Sequence, residues 1–179
     1  MGRPRVTTTG SPQLSYALVE ARASAATPGA GGQAARLPLN LALALDHSGS
    51  MRGEKLRSVK EAVKLVIDHM TAQDIISVVI FDDNVRVVAP AQPVRDHELL
   101  KAAIDGIKDG GGTSMSLGMN VAMTELRKNA SPQMVNRMIL LTDGATYGDA
   151  DRCRRIADDA GASGIGIYPL GIGADWEED

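Results

Sequence analysis

The feature that most constrains this chain is a change of period that repeats along most of its length. Short apolar or β-branched runs alternate with longer segments whose apolar residues recur every three or four positions. Leu39 to Leu45 is an apolar run ending at Asp46, as expected of a strand buried on both faces. Glu54 to Met70 follows, with Leu56, Val59, Val63, Val66, Ile67 and Met70 at helical spacing. Ile75 to Phe81 predicts a second strand, and Asp82-Asp83-Asn84 predicts a turn into Val85 to Val88 as an antiparallel hairpin. A helix is expected from His97 to Ile107, with Leu99, Leu100, Ala103, Ile104 and Ile107 on its buried side, and another near Ser116 to Lys128. Met138 to Leu141 predicts a strand, Asp149 to Ala162 a helix, and Ile165 to Leu170 a further strand. Elements in this order imply an α/β sandwich with a largely parallel sheet covered on both faces.

The first 36 residues differ. Thr7 to Pro12 and Thr27 to Gly32 have the composition of irregular links, and Leu14, Tyr16 and Leu18 alternate with Ser15 and Ala17 as in one strand. We therefore divide the chain into an arm over 1–36 and a domain over 37–179. Asp175 could cap a further helix, so the natural sequence is expected to continue.

Composition removes several function classes. There are 19 Lys and Arg against 22 Asp and Glu, a net charge of −3, which argues against binding nucleic acid or anionic membranes through bulk charge. With one cysteine, Cys153, the chain has no internal disulfide and no cysteine zinc cluster. Its 3 histidines, His47, His69 and His97, do not have HExxH spacing. No apolar run approaches the roughly 18 residues that span a bilayer. Met1 to Val6 lacks a signal-peptide core, so a cytoplasmic protein is the default, and an extracellular one fits if a signal segment has been removed.

The chemistry is expected where strands end, because ligands of open α/β sheets bind at the carboxyl ends of the strands. Three polar clusters fall there: Asp46-His47-Ser48-Gly49-Ser50, Gly112-Thr113-Ser114 and Thr142-Asp143-Gly144. In a segment still extended after its strand, residues 46, 48 and 50 point one way and His47 points elsewhere. One carboxylate and two hydroxyls then converge. Oxygen donors alone select a hard cation, Mg²⁺ first, with Mn²⁺ or Ca²⁺ as alternatives. Ser48, Ser50 and Thr113 can supply neutral oxygens, while Asp46 and Asp143 bind the ion directly or hold its waters. A cation held mainly by neutral groups keeps enough positive charge to take an acidic side chain from outside.

These residues resemble the metal-ion-dependent adhesion site of the von Willebrand factor A domain, in its bacterial type. The family pattern is DxSxS, a Thr after a Gly-rich turn, and an Asp in a TDG-like segment. Here it reads Asp46-His47-Ser48-Gly49-Ser50, Gly111-Gly112-Thr113 and Thr142-Asp143-Gly144. Lys55-Leu56, Asp74, Phe81-Asp82 and Gly171-Ile172-Gly173 also fit, and the matches run from about Pro38 to Asp179. The resemblance implies a three-layer α/β/α Rossmann-like fold with a mostly parallel sheet and one antiparallel edge strand. It implies an intact metal site of Asp46, Ser48, Ser50, Thr113 and Asp143, a protein partner bound through an Asp or Glu, and no catalysis. Members of the family usually carry another helix, and often another strand, past the point that Asp179 reaches.

Plainer readings compete. Ser and Asp are common at strand-to-helix turns, and Asp82-Asp83-Asn84 is explained by a hairpin turn without calcium. The Gly110 to Gly112 run lacks GxxxxGK[ST] and is expected to let the backbone bring Thr113 close. Cys153 shares a helix face with Ile156, Ala157 and Ala160, as a small hydrophobe would. As a whole, the chain reads as a metal-dependent protein-binding module. The alternatives are a metal-assisted phosphohydrolase using Asp46, and a structural domain with a vestigial metal site. Aspartate-nucleophile phosphatases carry a second Asp two residues on, where this chain has Ser48, and no GxSxG occurs for a serine hydrolase.

Overall fold

The computed structural model describes residues 36–144 and 148–173. The strand expected at Leu14 to Leu18 and the helix expected from Asp175 lie outside them. The elements are β1 (Leu39–Asp46), α1 (Glu54–His69), β2 (Ile75–Phe81), β3 (Val85–Pro93), α2 (His97–Asp105), α3 (Met115–Arg127), β4 (Val135–Thr142), α4 (Ala150–Ala162) and β5 (Gly166–Gly171), with a 3-10 turn over Gly49–Met51. They form one sheet in the order β3-β2-β1-β4-β5, in which β3 alone runs antiparallel to its neighbour. This is the α/β architecture that the alternation of periods predicts.

The alternation of side chains along β1 explains the layering. Leu41, Leu43 and Leu45 pack with Leu56, Val63, Ile67, Leu100 and Ile104 from α1 and α2. Ala42 and Ala44 point to the other face, against Met119, Met123 and Leu126 of α3. Small residues on that face let α3 lie close to the sheet. Gly118 of α3 rests directly on the Phe81 ring, where an added Cβ would overlap the ring carbons. Each fully buried Leu, Ile or Met stabilises the fold by about 1.5–3 kcal/mol relative to exposure. Among the described residues, no helix is long and apolar enough to cross a membrane.

Three expectations need correction. Leu99 does not join the buried side of α2. It is 66% exposed, because Leu100 and Ile104, one turn apart, form the stripe that meets the core, and Leu99 sits on the flank. In α4, Ala160 is buried and Cys153 and Ile156 pack partly against the core, while Ala157 is exposed. Burial, with the Asp149 charge nearby, pushes the Cys153 thiol up to about 11. Finally, β3 runs past Val88 to Pro93 despite Pro90 and Pro93. An edge strand tolerates the missing donors, and the Ala91 amide donates to Glu125 Oε2 of α3 at 2.9 Å. Glu125 is itself 6% exposed and also paired with Lys128. Burial pushes its carboxyl up, but the hydrogen bonds from Lys128 and Ala91 and the Lys128 charge outweigh that and hold it below the ordinary value.

Candidate metal centre

The strand order creates a crevice at the carboxyl ends of β1 and β4. The chain leaves β1 for α1 on one face and leaves the adjacent β4 for α4 on the other, so the two loops diverge above neighbouring strands. Asp46 closes β1 and Asp143 follows β4, so both carboxylates stand at this switch point.

Four of the five sequence-predicted residues are joined here by hydrogen bonds. Asp46, 1% exposed, accepts the Ser48 amide on Oδ1 at 2.8 Å and the Thr142 hydroxyl on Oδ2 at 2.7 Å. The Ser48 and Ser50 hydroxyl oxygens lie 3.1 Å apart. Ser50 donates to Asp143 Oδ1 at 2.8 Å, so its proton is committed and Ser48 is left to donate to Ser50. Lys55, in the first turn of α1, pairs with Asp143 Oδ2. Asp143 is thereby shared between the Ser50 hydroxyl and the Lys55 ammonium.

Thr113 is placed by the backbone on either side of it. The glycine loop before it is fastened to the β1 loop by Gly49 N to Gly111 O at 2.8 Å and Gly110 N to His47 O at 2.7 Å. On its far side, Ser114 N donates to Asp82 O at 2.7 Å. Thr113 is half-buried, and its hydroxyl makes no hydrogen bond to the other four residues. Glycine at 110–112 serves close approach of side chains rather than a left-handed backbone, since none of the three has a positive φ. A Cβ at Gly110 would overlap Asp82 and His47, and one at Gly111 or Gly112 would overlap Asp83.

Asp82 and Asp83 thus do more than turn a hairpin. Asp82 Oδ1 accepts the Asn84 amide at 2.6 Å, Asp82 Oδ2 the Gly111 amide at 3.0 Å, and Asp83 Oδ2 the Gly112 amide at 2.7 Å. Burial pushes Asp82 up, but the Gly111 and Asn84 amides and the nearby His47 outweigh it and hold the carboxyl below its ordinary value. His47 makes its contacts away from Asp46 and Asp143, with its Nε2 4.0 Å from Asp82 Oδ2. Its Nδ1 lies 2.8 Å from the Lys108 carbonyl, which can only accept, so Nδ1 carries a proton.

Sequence reasoning named Lys55 and Thr142 among the matching segments without giving them a role at the site, and read Asp82 and Asp83 as a hairpin turn. Lys55 lies five residues past Ser50, across the 3-10 turn, a path that no helical or strand period reveals. Among the described residues, no three His, Cys, Asp or Glu side chains gather as a metal set. The oxygens available are two carboxylates supplemented by hydroxyls, a donor set that suits a hard cation and no soft one.

The sequence profile of the von Willebrand factor type A domain matches residues 40–179. An uncharacterized Synechocystis protein is 39% identical over 145 residues, which cover 80% of this chain and 34% of that protein. The chain therefore spans about a third of that relative's length. Among solved structures, a von Willebrand factor type A protein from Catenulispora acidiphila matches with a TM-score of 0.65 and 27% identity, over 78% of this chain and 34% of the other. Proximal thread matrix protein 1 from the mussel byssus, with a zinc-occupied metal-ion-dependent adhesion site, shares the fold with a TM-score of 0.63 and 21% identity, over 75% and 38%.

Proposed function

The chain belongs to the von Willebrand factor type A domain family, and on that footing we propose that it is a divalent-cation-dependent protein-binding module with an intact metal-ion-dependent adhesion site. Domains of this family commonly mediate protein–protein interaction and commonly bind a divalent metal at this place. The observation that carries the reading is the run of oxygens from Ser48 through Ser50 to Asp143, at the switch point and beside the buried Asp46.

Ser48, Ser50 and Thr113 would hold the ion, with Asp46 and Asp143 binding it directly or through water. Mg²⁺ is the first choice and Mn²⁺ or Ca²⁺ the alternatives. Bound there, the cation supplies a Lewis-acidic position for an Asp or Glu of a partner protein. Thr142 and the Ser48 amide orient Asp46, while the Asp82–Asp83 turn and the glycine loop fix where Thr113 begins. No enzyme is needed to explain this arrangement. The serine hydroxyls face one another and Asp143 rather than a histidine, and His47 is engaged with the Lys108 carbonyl.

Calorimetric titration with Mg²⁺ and with Mn²⁺ tests the reading. One saturable site is expected in the wild type and none in Asp46→Ala or Ser48→Ala. Absence of uptake by the wild type would leave a structural domain with a vestigial site. Steady phosphatase turnover that disappears in Asp46→Asn would replace the binding module with a phosphohydrolase.

A further inference from the structure

Lys55 stands within the cluster without a part in holding the cation. Its ammonium pairs with Asp143 Oδ2 while Ser50 occupies Oδ1, so the two oxygens of one carboxylate are divided between a cation and a hydroxyl. Its stem passes beside a glycine. It lies against Gly173, which sits at φ +114°, and a Cβ there would come within 3.3 Å of Lys55 Cε. The side chain is 37% exposed, so the charge is partly shielded from water and remains within reach of a ligand arriving from outside.

The charges then add simply. Asp46 and Asp143 contribute two negative charges and Lys55 one positive, leaving the empty cluster at about −1. A divalent ion brings it to about +1 with Lys55 present and to about zero without it. We infer that Lys55 sets the charge of the loaded site, weakening its hold on the metal ion and strengthening its hold on the partner's carboxylate. The inference rests on the metal-site reading above. Two effects produce it: the ammonium repels a nearby dication, and it takes an Asp143 oxygen that the ion would otherwise share. Towards an incoming acid the same ammonium is attractive. A residue that merely anchored the start of α1 would weaken both kinds of binding or neither, so the opposite signs identify the role.

The experiment measures both affinities with Mn²⁺ and acetate as probes, on wild type, Lys55→Met and Lys55→Arg. Electron paramagnetic resonance reads free Mn²⁺, and water-proton relaxation reads the displacement of bound water by acetate. Lys55→Met is expected to bind Mn²⁺ about tenfold tighter and acetate about threefold to tenfold more weakly, sizes suited to one partly exposed charge near a dication. Lys55→Arg is expected to stay within about twofold of wild type in both, because the charge is kept. Thermal unfolding in chelator checks that the variants are folded. If wild type binds Mn²⁺ and Lys55→Met binds it equally or more weakly, or binds acetate as well as wild type does, the role of Lys55 is overturned while the site stands. If wild type takes up no Mn²⁺, the site reading itself fails and the inference falls with it.

Discussion

One carboxylate at the amino end of the central strands and two at the carboxyl end are satisfied in different ways. At the amino end, Asp74 precedes β2 and is 1% exposed. Its Oδ1 accepts Arg36 Nη2 at 3.0 Å and the Leu39 amide at 2.8 Å, and its Oδ2 accepts the Thr71 amide at 2.8 Å and the Thr71 hydroxyl at 2.9 Å. Its carbonyl also takes the Val94 amide at 3.1 Å. One residue thereby ties together the entry to β1, the turn after α1 and the end of β3. At the carboxyl end, among the described residues, each oxygen of Asp46 and of Asp143 takes a single donor, and hydroxyls supply three of the surrounding oxygens. Saturation by fixed donors makes a joint. Carboxylates with spare lone pairs, set among hydroxyls, make a place for something else.

The largest expected effect lies at the amino end. Asp74→Ala should destabilise the protein by about 3–5 kcal/mol in urea unfolding, because it leaves buried donors without an acceptor. The loss should be the same in chelator and in Mg²⁺. At the carboxyl end the dependence reverses. Mg²⁺ at about 100 times its dissociation constant should stabilise wild type by about 2.7 kcal/mol. Asp46→Asn should abolish that gain, yet cost less than about 1.5 kcal/mol in chelator. Equal losses for the two variants in chelator would erase the distinction between the two ends.

Acid should cost stability through the saturated groups. Burial pushes Asp74 up, but the Leu39 and Thr71 amides, the Thr71 hydroxyl and the Arg36 charge outweigh it, so its carboxyl lies below its ordinary 3.8. Glu125 likewise lies below its ordinary 4.5. A depressed folded-state value gives stability that is present above the unfolded value and lost as pH falls through the folded one. Urea midpoints should therefore drop as pH is lowered from about 5 towards 2, and Asp74→Asn should flatten that decline. The smallest effect belongs to Ser77, on β2 between the two ends. Its buried hydroxyl has no hydrogen-bond partner among the described residues. Ser77→Ala should leave stability unchanged or raise it by up to about 1 kcal/mol, with no change in Mg²⁺ uptake.

Much of this was legible in the sequence because period and strand ends are local signals. The apolar run of β1 and the β-branched run of β2 fix two central strands, and Ile75 to Phe81 matches the observed bounds of β2. Asp46, Ser48 and Ser50 are readable because a single extended segment carries them. Leu99 was misassigned because periodicity gives a helix's apolar arc and not which edge of the arc meets the sheet. The length of β3 was hidden by Pro90 and Pro93, whose lost donors matter less on an edge strand, and by Glu125, whose 34-residue separation from Ala91 no local pattern spans. The pairing of Lys55 with Asp143 and the grip of Asp82 and Asp83 on the glycine loop were hidden in the same way. They are contacts between loops that only the folded topology brings together.

The most direct test of the central claim is an anomalous-scattering map from crystals grown with Mn²⁺. The account predicts one strong peak per chain, coordinated by the Ser48 and Ser50 hydroxyls with Thr113 turned towards it, and Asp46 and Asp143 touching the ion or its waters. A map with no peak at the carboxyl ends of β1 and β4, or with Thr113 directed away from an ion bound there, would contradict it.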